Sequence, residues 1–220
     1  MSAVFQSDSL SVERFALGPL ETNAYLLVNP STQGCFIVDP GDGPAKLIAR
    51  VRVAGHLPRA IVLTHAHYDH IAGVAQVRRE LGKDLPIWIH EAEQTYPTDP
   101  MQNLSGRFGP GFMAPEPTDL FAHGHILDLD GLKFEVRHSP GHSPGGVALV
   151  QHDNHVVIAG DSLFAGSVGR HDFPHSDGQA LFKSIRTQFY TLADDFLVLP
   201  GHGPETTIGE EKQFNGFVRG

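Results

Sequence analysis

The chain has 220 residues, of which 40% are apolar and one is cysteine, enough to bury one sizeable core. Sixteen Lys and Arg against 25 Asp and Glu leave a formal charge of −9. That balance excludes an electrostatically driven binder of nucleic acid or anionic membrane, since phosphate demands a basic face, and a lone thiol excludes a disulfide framework or a thiolate metal site. The opening MSAVFQSDSLSVERF has neither a basic nor an apolar segment, and no run of about 18 apolar residues occurs. A cytoplasmic protein without a signal peptide or membrane span is expected.

In chain order, Ser11–Leu17, Asn23–Val28 and Cys35–Val38 are β-branched or aromatic runs separated by Gly18-Pro19, Asn29-Pro30 and Gly34. They read as a meander of strands. After the loop Pro40–Gly43, Leu47, Ile48, Val51 and Ala54 keep helical spacing up to Gly55. Arg59–Leu63 reads as a buried strand, Thr64–His70 as a loop, Ile71–Leu81 as one helix ended by Gly82, and Pro86–Ile89 as a strand. The stretch Glu91–Leu120 is rich in Pro and Gly and is expected to be irregular, with Met101, Leu104, Phe108, Phe112 and Met113 either lining a substrate pocket or covering a sheet edge. Strands resume at Leu132–Arg137, Gly146–Val150 and His155–Ala159. A helix near Asp177–Tyr190 carries Leu181, Phe182, Ile185 and Phe189 on one face, and a strand at Phe196–Leu199 and a helix near Gly209–Phe217 complete the pattern. The order suits one α/β domain over 1–220, two sheets each covered by helices on its outer face.

Fourteen histidines are many for an acidic chain, and imidazole with carboxylate suits borderline metals such as zinc, iron and manganese. Thr64-His65-Ala66-His67-Tyr68-Asp69-His70 places four ligand-type residues within six positions at the end of a strand. In extended chain His65 and His67 point the same way, while Asp69 and His70 lie where the chain turns into a helix. Three later residues share the setting of a strand end before a glycine-rich loop: His142, Asp161 and His202. The other histidines (His56, His90, His123, His125, His138, His152, His155, His171 and His175) are expected in solvated turns or strand ends, with His171 beside Arg170 the one to watch. Asp39 reads either as a carboxylate that orients the ligand loop or as a plain turn residue. Cys35 reads as a core residue.

The order H-x-H-x-D-H, with H, D and H further along the chain, resembles the metallo-β-lactamase superfamily, from Asn23 to Pro204. The resemblance implies a four-layer αβ/βα sandwich with metals at one edge. By it, His65, His67 and His142 hold one divalent ion, Asp69, His70 and His202 a second, and Asp161 bridges them; zinc is the expected ion, with iron and manganese the alternatives. The strings Val38-Asp39-Pro40-Gly41, Pro140-Gly141-His142-Ser143-Pro144-Gly145, Gly160-Asp161-Ser162-Leu163-Phe164, Asp172-Phe173-Pro174 and Pro200-Gly201-His202-Gly203-Pro204 are similar to those of short glyoxalase II-like hydrolases (hydroxyacylglutathione hydrolases). A thioesterase acting on a small acyl-thiol of the S-D-lactoylglutathione type is implied, with a metal-bridging hydroxide as nucleophile and Asp69 and Asp161 as the catalytic carboxylates. Arg170 matches a lysine that contacts glutathione in longer members, which makes it the expected substrate-binding residue; two positions on, Asp172 stands where those enzymes have tyrosine. The alternatives on this scaffold are a mononuclear iron persulfide dioxygenase, whose G-R-x-D string matches Gly169-Arg170-His171-Asp172, and a lactonase or β-lactamase. The ending Gly201-His202-Gly203-Pro204 and the short length favour the hydrolase.

Overall fold

The β-branched and aromatic residues near the start form strands β1 (Phe5–Gln6), β2 (Ser11–Leu17), β3 (Thr22–Val28) and β4 (Gly34–Val38) in the computed structural model, which describes residues 3–220. The expected turns join β2 to β3 antiparallel, Ser11 opposite Val28 and Leu17 opposite Thr22, and β3 to β4 with Tyr25 opposite Val38. Helix α1 (Ala45–Ala54) stops at Gly55, whose φ of 71° and N–H bonded to the Val51 and Arg52 carbonyls make a left-handed cap. The chain then returns as β5 (Leu57–Val62), parallel to β4, and later as β6 (Ile87–His90), parallel to β5. With β7 (Asp119–Phe121) at its far edge, this seven-stranded sheet keeps chain order from β1 to β7. Leu47, Ile48 and Val51 of α1 bury against Leu26, Ile37 and Ile61 of the sheet, each side chain contributing about 1.5–3 kcal/mol on burial.

The single helix expected over Ile71–Leu81 is two helices, α2 (Tyr68–Ile71) and α3 (Val74–Leu81). The break falls at Gly73, which donates its N–H to the Pro40 carbonyl at 2.8 Å. A Cβ at Gly73 would lie 2.2 Å from the Gly41 carbonyl oxygen, so only glycine lets the two segments approach this closely. Asp69 and His70 are therefore helical residues rather than loop residues. Glu91–Leu120 is also more regular than its composition suggests. It holds 3-10 turns at Glu91–Glu93 and Tyr96–Thr98, the short helix α4 (Ser105–Phe108) and the start of β7. Buried Asn103 organises it, donating to the Pro97 and Phe112 carbonyls and accepting from the Ser105 N–H.

The remaining strands are β8 (Ile126–Leu129), β9 (Leu132–His138), β10 (Val147–Gln151), β11 (Val156–Gly160), the small hairpin β12 (Leu163–Phe164) and β13 (Ser167–Val168), then β14 (Leu197–Pro200) and β15 (Thr206–Thr207). The six-stranded sheet among them runs β15-β14-β11-β10-β9-β8. Parallel pairing of β11 and β14 ends in a register shift between Ile158 and Gly160, which brings the Gly201 N–H onto the Gly160 carbonyl at 2.8 Å. The helix expected near Asp177–Tyr190 is α5 (Gly178–Ser184), capped by the Asp177 carboxylate accepting from the Gln179 and Ala180 N–H groups, and continued by a π-turn at Ile185–Phe189. Leu181, Ile185 and Phe189 enter the core as expected, while Phe182 is half-buried against the edge of His171. Helix α6 (Ile208–Phe214) starts at Thr207, whose hydroxyl accepts from the Glu210 N–H.

Two compact units are distinguishable. One comprises the described residues up to Ile89 with Glu93–Leu120 and Asp128–Leu132; the other comprises His90–Ala92, Phe121–Leu127 and Lys133–Gly220. Among the described residues, no helix is long and apolar enough to cross a membrane.

Candidate metal centre

In the first unit, the residues after β5 gather His65, His67, Asp69 and His70 beside Asp39. His65, His67 and His70 are buried, and the His65 ring centroid lies 4.7 Å from that of His67 and 4.2 Å from that of His70. Asp39, 1% exposed, organises them. One carboxylate oxygen accepts from the Thr64 N–H at 2.7 Å; the other accepts from the Thr64 hydroxyl at 2.5 Å and from His70 Nδ1 at 2.9 Å. A carboxylate only accepts, so His70 Nδ1 carries the proton and Nε2 the lone pair. The same logic runs one bond further. The Thr64 hydroxyl gives its single proton to Asp39, so it accepts from His65 Nδ1 at 3.1 Å, which again leaves the lone pair on Nε2. Asp69 accepts a 2.7 Å bond from the Thr22 hydroxyl of β3, and buried Glu93 accepts the Ala66 N–H between the two ligand-type histidines at 2.6 Å. Asp39 thus acts as the orienting carboxylate, the first of the two readings its sequence context allowed.

In the second unit, His142, Asp161 and His202 come together at the ends of β9, β11 and β14. One Asp161 oxygen lies 3.5 Å from Nε2 of His142 and 3.5 Å from Nε2 of His202. His142 donates from Nδ1 to the Arg170 carbonyl at 2.7 Å, so here too Nε2 keeps the lone pair. The loop that presents His142 is tied down by the Ser176 hydroxyl on its carbonyl and the Ser184 hydroxyl on the Pro140 carbonyl. Gly169 is required beneath it, because a Cβ there would lie 1.7 Å from the Asp161 carbonyl oxygen.

Arg170 contributes to this arrangement through its backbone. Its exposed guanidinium is paired with Asp172, Nε to Oδ1 at 2.5 Å, and lies 4.3 Å over the Phe173 ring. That hydrogen bond holds the Arg170 pKa above its ordinary value and the Asp172 pKa below its own. His171 is half-buried and donates from Nδ1 to the Gly169 carbonyl at 3.1 Å. Among the histidines expected to be solvated, His90 differs. It is buried at the end of β6, stacked on His138 with centroids 4.0 Å apart and planes 13° apart, and burial, with lesser effects of the neighbouring His138 and His123, pulls its pKa down to about 4. Cys35 is buried in the first core, and burial pushes its thiol up to about 12, against a lesser lowering by Arg59. It is neither nucleophile nor ligand.

The donor set fits divalent metals. It consists of carboxylates and imidazoles, all of the latter buried but that of His202, without thiolate, the preference of zinc, iron and manganese, and partners on Nδ1 fix the tautomers of His65, His70 and His142. Thr22, Thr64, Glu93 and the Arg170 carbonyl carry no sequence signal of their own; only their partners across the fold reveal them.

A family model for the metallo-beta-lactamase superfamily matches residues 17–202. The hydroxyacylglutathione hydrolase GloC of Haemophilus influenzae is 38% identical over 95% of this chain and 98% of its own length. Among solved structures, the BLEG-1 B3 metallo-beta-lactamase has a TM-score of 0.89 at 37% identity, covering 95% of this chain and 100% of that one. TTHA1623, solved in a di-iron-bound form, has a TM-score of 0.81 at 40% identity, covering 94% and 100%. The mixed α/β architecture is that of the metallo-beta-lactamase fold, and the chain belongs to the metallo-beta-lactamase superfamily as a metallo-hydrolase.

Proposed function

We propose that the donors of the two units serve one dinuclear centre in a glyoxalase II-like thioesterase. His65, His67 and His142 would hold one ion, Asp69, His70 and His202 the other, and Asp161 both. The observation that carries this reading is the fixed tautomer: in His65, His70 and His142 an acceptor on Nδ1 directs the lone pair to Nε2. When bound, divalent ions supply Lewis acidity toward a carbonyl and lower the pKa of water. Zinc is the proposed ion; the di-iron form of TTHA1623 makes iron the alternative.

The protein's own contribution is orientation. Asp39 and Thr64 fix two imidazoles through one shared network, Thr22 holds Asp69, and the Arg170 carbonyl holds His142. In the net reaction, the oxygen of water bonds to the thioester carbonyl carbon, the C–S bond breaks with its pair on sulfur, and a carboxylate, a thiol and one proton result. The thiolate leaves easily, so no dedicated acid beside sulfur is required. The relationship to GloC supports an acylglutathione substrate, and we place Arg170 at its anionic end, its fork exchanging Asp172 for a substrate carboxylate. BLEG-1 supports a second reading, a β-lactamase on the same centre.

The test is hydrolysis of S-D-lactoylglutathione, a neutral thioester and a β-lactam by one metal-replete preparation, before and after chelation. Thioester turnover lost on chelation and restored by metal is expected. Turnover of the β-lactam alone would give the site to the second reading, and oxygen uptake on a persulfide would overturn both. Arg170→Ala should raise KM for the acylglutathione while sparing the neutral thioester; equal losses on both would leave Arg170 a loop residue only.

A further inference from the structure

Beside Asp69, wholly within the first unit, lies a cavity of about 570 Å³. That volume falls in the range of small-molecule sites. Leu17, Pro19 and Leu20 from the β2–β3 hairpin, with Tyr68 and Phe112, form its apolar lining. Asp42 and Asp69 bring carboxylates, and among the described residues that line it none is Lys, Arg or His. Tyr68 and Phe112 also line a neighbouring hollow of about 260 Å³ with Phe108 and Pro110, so the apolar surface continues past the first cavity. Leu20, at the tip of a turn, is 50% exposed, and Phe108 is 58% exposed; both leave apolar surface for a ligand to cover.

The charges decide what enters. In the proposed centre Asp69 is committed to a metal ion, so Asp42 is the charge left on the lining, and among the described lining residues no Lys, Arg or His pairs an anionic group such as the glycine carboxylate of glutathione. The acyl chain beyond the carbonyl stays neutral throughout. We propose that this cavity takes the uncharged, apolar acyl chain of the thioester, so that the preferred substrates carry a medium-length or aromatic acyl group rather than a short hydroxylated one. This rests on the thioesterase reading, with Asp69 as the point where the cavity meets the reacting carbonyl.

The test uses metal-replete protein and two matched series on one thiol: non-hydrolysable alkyl thioethers, methyl to octyl, read by calorimetry as Kd, and acyl thioesters, acetyl to octanoyl, read as kcat/KM. Each methylene should improve both by about fourfold until the cavity is filled. Leu20→Arg should flatten the gradient and bring in chains that end in a carboxylate, such as glutaryl. A Kd gradient removed by Leu20→Arg, with no thioester hydrolysed, would keep the cavity assignment and sink the thioesterase reading. Thioesters hydrolysed with no dependence on chain length in either series would sink the cavity assignment alone. The wild-type gradient decides the matter even where Leu20→Arg lowers the yield of folded protein.

Discussion

Replacing Asp39 by Asn removes one charge and a single acceptor atom at the junction of the ligand network. Both Asp39 oxygens are committed, one to the Thr64 N–H and the other to the Thr64 hydroxyl and His70 Nδ1. Whichever way the amide turns, its NH2 faces a donor. If it faces His70, the ring must shift its proton to Nε2, and the nitrogen that would bind metal no longer has a lone pair. The backbone tolerates the change, because Asp39 sits at φ 47°, a left-handed conformation that Asn adopts more readily than most residues. A hydrogen bond to a charged group is worth about 1.5–3 kcal/mol, and loss of a ligand-orienting partner typically costs about 10–100-fold in metal affinity. Competition with a chromophoric chelator at pH 7.5 should therefore show metal held at least tenfold more weakly, while the metal-free protein melts only a few degrees lower, at about 2–4 °C per kcal/mol for a chain of this size. Wild-type affinity in Asp39→Asn would refute the orienting role of Asp39 and the tautomer argument built on it.

The same geometry makes three further outcomes testable. Asp161→Ala should lower bound metal and kcat more than loss of any single ligand histidine, because one of its oxygens lies 3.5 Å from Nε2 of both His142 and His202; elemental analysis and kcat on the same samples check this, and two retained ions with near-normal turnover would remove it from the bridging position. Gly73→Ala should destabilise by about 1–3 kcal/mol or more through overpacking, its Cβ set 2.2 Å from the Gly41 carbonyl oxygen, and a denaturant midpoint equal to wild type would contradict the contact. Buried His90, at about 4 in the folded state, binds its proton later than the unfolded chain does at about 6.5. Folding stability should therefore fall as pH drops from about 6.5 to 4 and level off below, by no more than about 3 kcal/mol from this group; His90→Phe, which has no proton to take up, should lose less over that window, and an unchanged pH profile would dismiss the effect.

The candidate run at His65–His70 is legible in the sequence because its chemistry is local, four donor residues within six positions at the end of a strand. What supports it is not local. Thr22 reaches Asp69 across 47 positions and Glu93 reaches the Ala66 N–H across 27, and neither residue type marks itself. Strands such as Ser11–Leu17 show through their residue types and flanking turns, whereas β1, β12, β13 and β15, two residues each, are too short to carry a period. Helical spacing continues across Gly73, so the break between α2 and α3 is invisible until Pro40 and Gly41 are seen against it. His90 looks like a solvated histidine at a strand end until His138 is found stacked on it. Pro and Gly hide the order in Glu91–Leu120, which comes from the side chain of Asn103 rather than from periodicity.

The central claim, a dinuclear centre built from all seven donors, is tested most directly by metal stoichiometry. Elemental analysis of purified, metal-replete protein should give two divalent ions per chain, falling to one or fewer in Asp161→Ala, with thioester hydrolysis tracking occupancy in both. A single tightly held iron per chain, unaffected by loss of Asp69 or His202 and accompanied by oxygen uptake on a persulfide, would contradict it.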